Sequence, residues 1–318
     1  MSKSFLAASP PTVAVQIARN VVSAASITGS GSNLSVTAHA IEPLAGGVVI
    51  PALNHTNIAE PKLVASALQR VFERMGQRPK RVALALPDSV AKVSILKFEK
   101  VPERARDLDE LIRWQVRKAA PFRIEDAQLS YVPGLKAADG STEFVVVMAR
   151  RDIVREYETV CEEAGAQAGI VDLSTFNVIN AVLAGPGAPS DDWLLVHVTH
   201  EDATMAILRG RHLVFFRNRT AEGEGSLADM VHQTAMYYED RLSGAGFNRV
   251  VLAGGGLPAD GSHDAEYLRR ALEQRLNTRV DTIDPRGAAN LMDRINATAE
   301  LLDALAPLVG LLAREQAA

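Results

Sequence analysis

Two stretches of this chain follow one plan, a meander of short strand-like runs and then helices alternating with single strands, and that duplication limits the fold more than any single motif. In the first stretch VAVQIA (13–18), VVSAASI (21–27) and LSVTAHAI (34–41) are strand-like, with Arg19 and Asn20 in one gap and GSGSN in the other. EPKLVASALQRVFERMG (60–76) then sets Leu63, Ala67, Val71 and Met75 at helical spacing, with Pro61 at its start and Gly76 at its stop, and RVALALP (81–87) returns to strand. The second stretch opens with LLVHVTHEDATMAILRG (194–210), two runs around a polar turn, continued by RHLVFFRNRT (211–220). A helix follows, with Leu227, Met230, Val231, Tyr238 and Leu242 on one face, and then NRVVLAGGGLPADG, a further helix and NTRVDTIDP. Two similar α/β halves that meet at a cleft are the expectation for such a pattern.

Between the halves the texture changes. AKVSILKF (91–98) reads as an amphipathic strand, and RDLDELIRWQVRKAA (106–120) as a helix that stops before Pro121. Its buried stripe is expected to be Leu108, Leu111, Ile112, Gln115 and Ala119, which turns Trp114 outward among Arg113, Arg117 and Lys118. An aromatic outside the apolar stripe is a candidate partner contact, since Trp and Arg are enriched among interface anchors; packing against its own chain is the alternative. EFVVVMARR is an apolar strand, DIVREYETVCEEAG a helix, AGIVDLSTFNVINAVL a strand running into a helix, and GPGAPSDD (185–192) the best linker.

Composition narrows the functions. A formal charge of −4 and a pI near 6.0 give no basic surface of the kind that phosphate backbones require, so nucleic acid is not an expected partner. Aromatics are only 5% of the chain, so the core must be built from Ala, Val, Leu and Ile. The single cysteine, Cys161, lies in a helical run and is expected to pack as a small hydrophobe. MSKSFLAASPPTVAV is a poor secretory signal, and LLDALAPLVGLLA (301–313) is interrupted by Asp303 and too short to cross a bilayer. A cytoplasmic chain is expected, its C-terminal helix packed back on the body because that helix lacks a basic side.

Four segments in order, ALPDSVAKVSILKF, WQVRKAAPFRIEDAQLSY, FVVVMARRDIVREYETVCEEAG and VDLSTFNVI, make the chain resemble the PilM family, the actin-like component of type IV pilus assembly. The resemblance implies an α/β, actin-like (ribonuclease H-like) fold of two lobes with a small subdomain inserted in the first. The expected division is a first lobe at 1–188 with its insert at about 90–145, and a second lobe at 189–318. It also implies ATP between the lobes, and a first lobe that grips the N-terminal tail of a PilN-like inner-membrane protein, keeping this chain at the membrane without inserting in it. The host apparatus would be a pilus or a type II secretion platform.

Actin-like clefts place carboxylates and glycines in two hairpins, because carboxylates hold magnesium through water and glycines let backbone amides approach phosphate. Here Gln16 stands at the first carboxylate position and Ala18 at the glycine, beside Arg19 and Asn20 in the turn; His197 and Thr199 stand at the corresponding positions of the second hairpin. Gly254, Gly255 and Gly256 remain where the adenosine side would be lined. An amide and an imidazole do not replace two carboxylates around a hard cation. The expectation is therefore a scaffold and pseudo-ATPase without a resident cofactor, and the alternative is a working actin-like ATPase that binds ATP and magnesium. His197, His200, Glu201 and Asp202 form either a metal site or a plain hairpin; His197 and His200 need not converge in a strand, so the hairpin is expected and no metal.

Overall fold

The structure is a computed structural model that describes residues 10–137, 139–200, 202–220, 226–254, 265–292 and 295–317. An antiparallel meander opens the chain: β1 (Val13–Ala18), β2 (Val21–Thr28) and β3 (Ser35–Pro43). Helix α1 (Pro61–Met75) crosses over to β4 (Arg81–Leu86), which lies parallel to β1. There follow β5 (Ala91–Phe98), α2 (Ala105–Arg117), β6 (Ala127–Lys136) and β7 (Thr142–Arg150), with β5 and β6 both paired antiparallel to β7. Helix α3 (Arg151–Glu163) then leads to β8 (Gln167–Leu173), parallel to β4. Because β4 and β8 are neighbours in one sheet, the β5–β7 unit is an insertion between them.

Helix α4 (Ser174–Ala184) carries the chain to a second meander, β9 (Asp192–Val198), β10 (Asp202–Arg209) and β11 (His212–Thr220). Helix α5 (Leu227–Leu242), β12 (Arg249–Ala253), α6 (Ala265–Leu276) and β13 (Val280–Thr282) complete that half. The chain then returns: β14 (Asn290–Leu291) pairs with β3, and α7 (Ala299–Ala317) packs on the first sheet. Among the described residues the sheets run β14-β3-β2-β1-β4-β8, β11-β10-β9-β12-β13 and β5-β7-β6. The second half expected at 189–318 therefore gives its last two elements to the first sheet.

Residue size decides how the first sheet is covered. Val13, Val15 and Ile17 of β1, with Val82, Leu84 and Leu86 of β4, face α1 and α3. On the other face Ala14, Ala83 and Ala85 present only methyl groups, so α7 can lie close with Leu305, Leu308, Leu311 and Leu312. Helix α7 also crosses α4 at Gly310, where an added Cβ would sit 1.7 Å from the Asn177 carbonyl oxygen.

Two stripes differ from expectation. Leu63 is 54% exposed, because the face of α1 turned to the sheet is set by Val64, Leu68, Val71 and Met75, one residue round from the expected row at its start. In α2 the buried residues are Ile112 and Val116, with Leu108 half-buried one turn earlier; Gln115 is exposed beside that row, and Ala119 lies past the helix end at Arg117.

Candidate functional site

The hairpins β1–β2 and β9–β10 approach α4 from two sides, and α4 begins where they meet. From the first hairpin Gln16, half-buried between Ser23 of β2 and Ala85 of β4, donates Nε2–H to Ser174 Oγ at 3.0 Å. From the second, His197 is buried, and its Nδ1 lies 2.7 Å from Thr175 Oγ1. The first two residues of α4 thus engage the two side chains at the expected carboxylate positions.

Proton counting fixes the direction of the chain that follows. Thr175 has one hydroxyl proton and gives it to Asp88 Oδ2, so it accepts from His197, whose Nδ1 carries the hydrogen. Asp88 Oδ1 accepts the Thr175 backbone N–H at 3.1 Å. Thr204 Oγ1 also donates to Asp88 Oδ2, at 2.8 Å, and accepts from Asn218 Nδ2 at 2.9 Å. His197, Thr175, Thr204 and Asn218 therefore all direct their hydrogens toward one buried carboxylate, which joins the end of β4 to both α4 and the five-stranded sheet.

Asp202 sits at the tip of the second hairpin and is buried. Its Oδ1 accepts from Thr199 Oγ1 at 2.7 Å, which in turn accepts the Asp202 backbone N–H at 3.1 Å, while Oδ2 has no hydrogen-bond partner. Burial, and then the nearby Asp88 charge, push the Asp202 carboxyl above the usual carboxylate range.

The other expected residues are distributed around this cluster. Ala18, Arg19 and Asn20 form the end and turn of the first hairpin, where the Asn20 carbonyl accepts from Leu44. Gly254 follows β12 beside the second hairpin with φ +78°, and a Cβ there would meet the Val198 carbonyl oxygen at 1.8 Å, so only glycine fits. Its N–H donates to Asp303 Oδ1 at 2.9 Å, tying that turn to α7. Gly255, Gly256 and Glu201 lie outside the described residues. His200 is exposed on the turn and His197 buried below it. Asp88 and Thr175 are not among the expected site residues although both lie in the family-like segments; the available signal is their position at the carboxyl ends of strands, where α/β sheets gather their sites.

A second feature lies beside the insert. The six consecutive residues 168–173 of β8 line a cleft of about 1070 Å³, which shows that it opens along the unpaired edge of that strand. Its other walls are Gln128 and Ser130 of β6, Val147 and Ala149 of β7, and α3, where Val154 lies among the charged Arg151, Asp152, Arg155 and Glu158. Trp114 is 62% exposed, with Lys118 Nζ 5.9 Å from its ring centroid. It lies across the inserted sheet from the cleft, because α2 packs on Phe144, Val146 and Met148 while Val147 and Ala149 face the cleft.

Among the described residues no helix is long and apolar enough to cross a membrane. A sequence model of the family described as "Type IV pilus assembly protein PilM" matches residues 14–241. The chain is similar to a solved "PilM-PilN type IV pilus biogenesis complex" structure, with a TM-score of 0.78 at 18% identity over 96% of this chain and 98% of that one. Weaker similarities include the cytoplasmic domain of EpsL, an inner-membrane component of the type II secretion system of Vibrio cholerae (TM-score 0.47, 13% identity, 85% and 96% covered). Another is the ethanolamine utilization protein EutJ from Carboxydothermus hydrogenoformans (TM-score 0.49, 9% identity, 96% and 90% covered). The fold is the actin-like one, with the β5–β7 unit as its inserted part.

Proposed function

The chain belongs to the family of the type IV pilus assembly protein PilM, and from that premise we propose that it is a non-catalytic scaffold holding the tail of a PilN-like inner-membrane protein. The observation that carries the reading is the cleft beside β8: an unpaired strand edge forms one wall, and the mixed face of β6 and β7 with the charged side of α3 forms the other. An extended tail can add to such an edge through its backbone while alternate side chains enter the cleft. On this reading the chain works in the cytoplasm and reaches the inner membrane of a pilus or secretion platform through its partner. Trp114, the expected partner contact, stands on the opposite face of the insert from this cleft.

The pseudo-ATPase part of the proposal rests on the bonded state of the two hairpins. Magnesium with a nucleotide triphosphate needs free carboxylate oxygens at Gln16 and His197; these positions supply an amide and an imidazole, each engaged to α4. Asp88, 3.8 Å from His197, has both oxygens occupied by protein donors. These donors do not fit the group, and no catalytic step is assigned to it.

Two calorimetric titrations test the reading: ATP with magnesium, and a synthetic peptide covering the cytoplasmic tail of the PilN-like protein encoded in the same genome. Saturating heat from the peptide and none from ATP is the expected result. Saturation by ATP at one site overturns the pseudo-ATPase assignment, and absence of peptide binding overturns the scaffold.

A further inference from the structure

The cleft beside β8 adjoins a second cavity of about 260 Å³, and Ser130, Val147 and Asp172 line both spaces. Five consecutive residues of β6, 130–134, line the second cavity, so it opens along the unpaired outer edge of β6 as the first opens along β8. Its floor is apolar, formed by Phe176, Ile179 and Leu183 of α4. Its far wall is the β10–β11 turn, with Leu208, His212 and Leu213, which belong to the second lobe. The junction is marked by Asp172, whose carboxylate accepts from Arg314 of α7 at 2.5 Å.

Resting on the tail-binding reading, we infer that the occupant of this second cavity is a further stretch of the same extended tail, carrying aliphatic side chains. It runs from the β8 edge past Asp172 and along the β6 edge to the second lobe. The chemistry is specific about the occupant. Two free strand edges in adjoining spaces suit an extended backbone, and the α4 floor of Phe176, Ile179 and Leu183 suits aliphatic side chains in the second part, whose rim also holds Asp172, Arg211 and Arg314. Val132, 57% exposed on β6 at the mouth of this cavity, is the apolar surface that such an occupant covers. A tail seated in both parts touches the insert, α4 and the second lobe at once, so its binding fastens the β10–β11 turn to the insert.

The test uses the whole chain and two synthetic tails, one complete and one shortened progressively from each end until heat is first lost. The substitution Val132→Asp changes an exposed side chain, so the fold is retained; its thermal unfolding is recorded to verify that. The expected results are binding of the complete tail weakened by about tenfold in V132D, and slowed backbone hydrogen exchange at residues 208–213 when wild type binds it. Binding by V132D within about twofold of wild type, together with unchanged exchange at 208–213, overturns this inference and leaves the tail-binding reading standing. No binding of the complete tail to wild type overturns both.

Discussion

Asp88 and His197 approach to 3.8 Å, yet the hydrogen bonds that relate them run through the Thr175 hydroxyl at the start of α4. A first-lobe acid and a second-lobe imidazole are thereby fixed to the same helix. The two hairpin-bearing halves are joined through the first turn of α4.

Replacing His197 by Asp tests that arrangement. Thr175 has one proton and cannot serve two carboxylates, so two buried acids would face each other and at least one would hold its proton to a higher pH than in the unfolded chain. Stability from such a raised group is present at low pH and lost as pH rises through the folded value. Urea unfolding of H197D is expected to show a loss of about 3 kcal/mol at pH 8 and a smaller one at pH 5. Equal losses at both would contradict the geometry.

Asp202 offers the complementary case. Its carboxyl is raised by burial and by Asp88, and its Oδ2 is unpartnered, so its contribution falls as pH climbs above the ordinary carboxylate range. The Asp202→Asn side chain keeps an oxygen for Thr199 and stays neutral. D202N is expected to be more stable than wild type by about 1 kcal/mol at pH 8, with the gain shrinking toward pH 4.5. A gain that grows as pH falls would refute the assignment.

How much of this could be read beforehand depends on how local each signal was. The meanders, the alternating helices and the insert follow from period and turn chemistry, and Trp114 faced outward as its place off the apolar row required. The buried stripes of α1 and α2 depart from the expected rows at Leu63, Gln115 and Ala119, because helix ends set the face that packs. Asp88, Thr175 and Thr204 were not assembled into a cluster, since residues 87 and 116 positions from Asp88 meet only through the packing of two sheets on α4. The pairing of β14 with β3 left no periodic trace either: two residues of strand are too short to announce themselves.

Gly310 should be intolerant of any side chain. A Cβ at this position would overlap the Asn177 carbonyl at 1.7 Å, and neither backbone can withdraw without opening the α4–α7 contact. G310A is expected to cost about 3 kcal/mol, read as a lowered midpoint in thermal and urea unfolding. An unchanged midpoint would mean that the two helices are not packed as described.

Val154 and Trp114 separate the two faces of the insert. Val154→Asp places a charge in the wall of the cleft beside β8 and is expected to weaken the tail by about tenfold. Trp114→Ala, across the sheet, is expected to leave the same titration within about twofold. The reverse pattern would move the tail site to α2.

Cys161 is buried, and burial pushes its thiol up to about 12, with Glu158 and Glu162 adding to the effect. A disulfide reagent at pH 8 is expected to leave it unmodified in the folded chain and to label it promptly in denaturant. Rapid labelling without denaturant would place α3 differently.

The return of α7 to the alanine face of β1 and β4 also bears on how the protein comes into being. During synthesis every residue of the second lobe leaves the ribosome before α7 does, so the first sheet waits with one face bare while the second lobe folds. A nascent or clipped chain lacking α7 would have neither that cover nor Arg314 beside Asp172 at the junction of the two cavities. Loss of α7 would therefore remove the cover of one sheet face and the ion pair at that junction together.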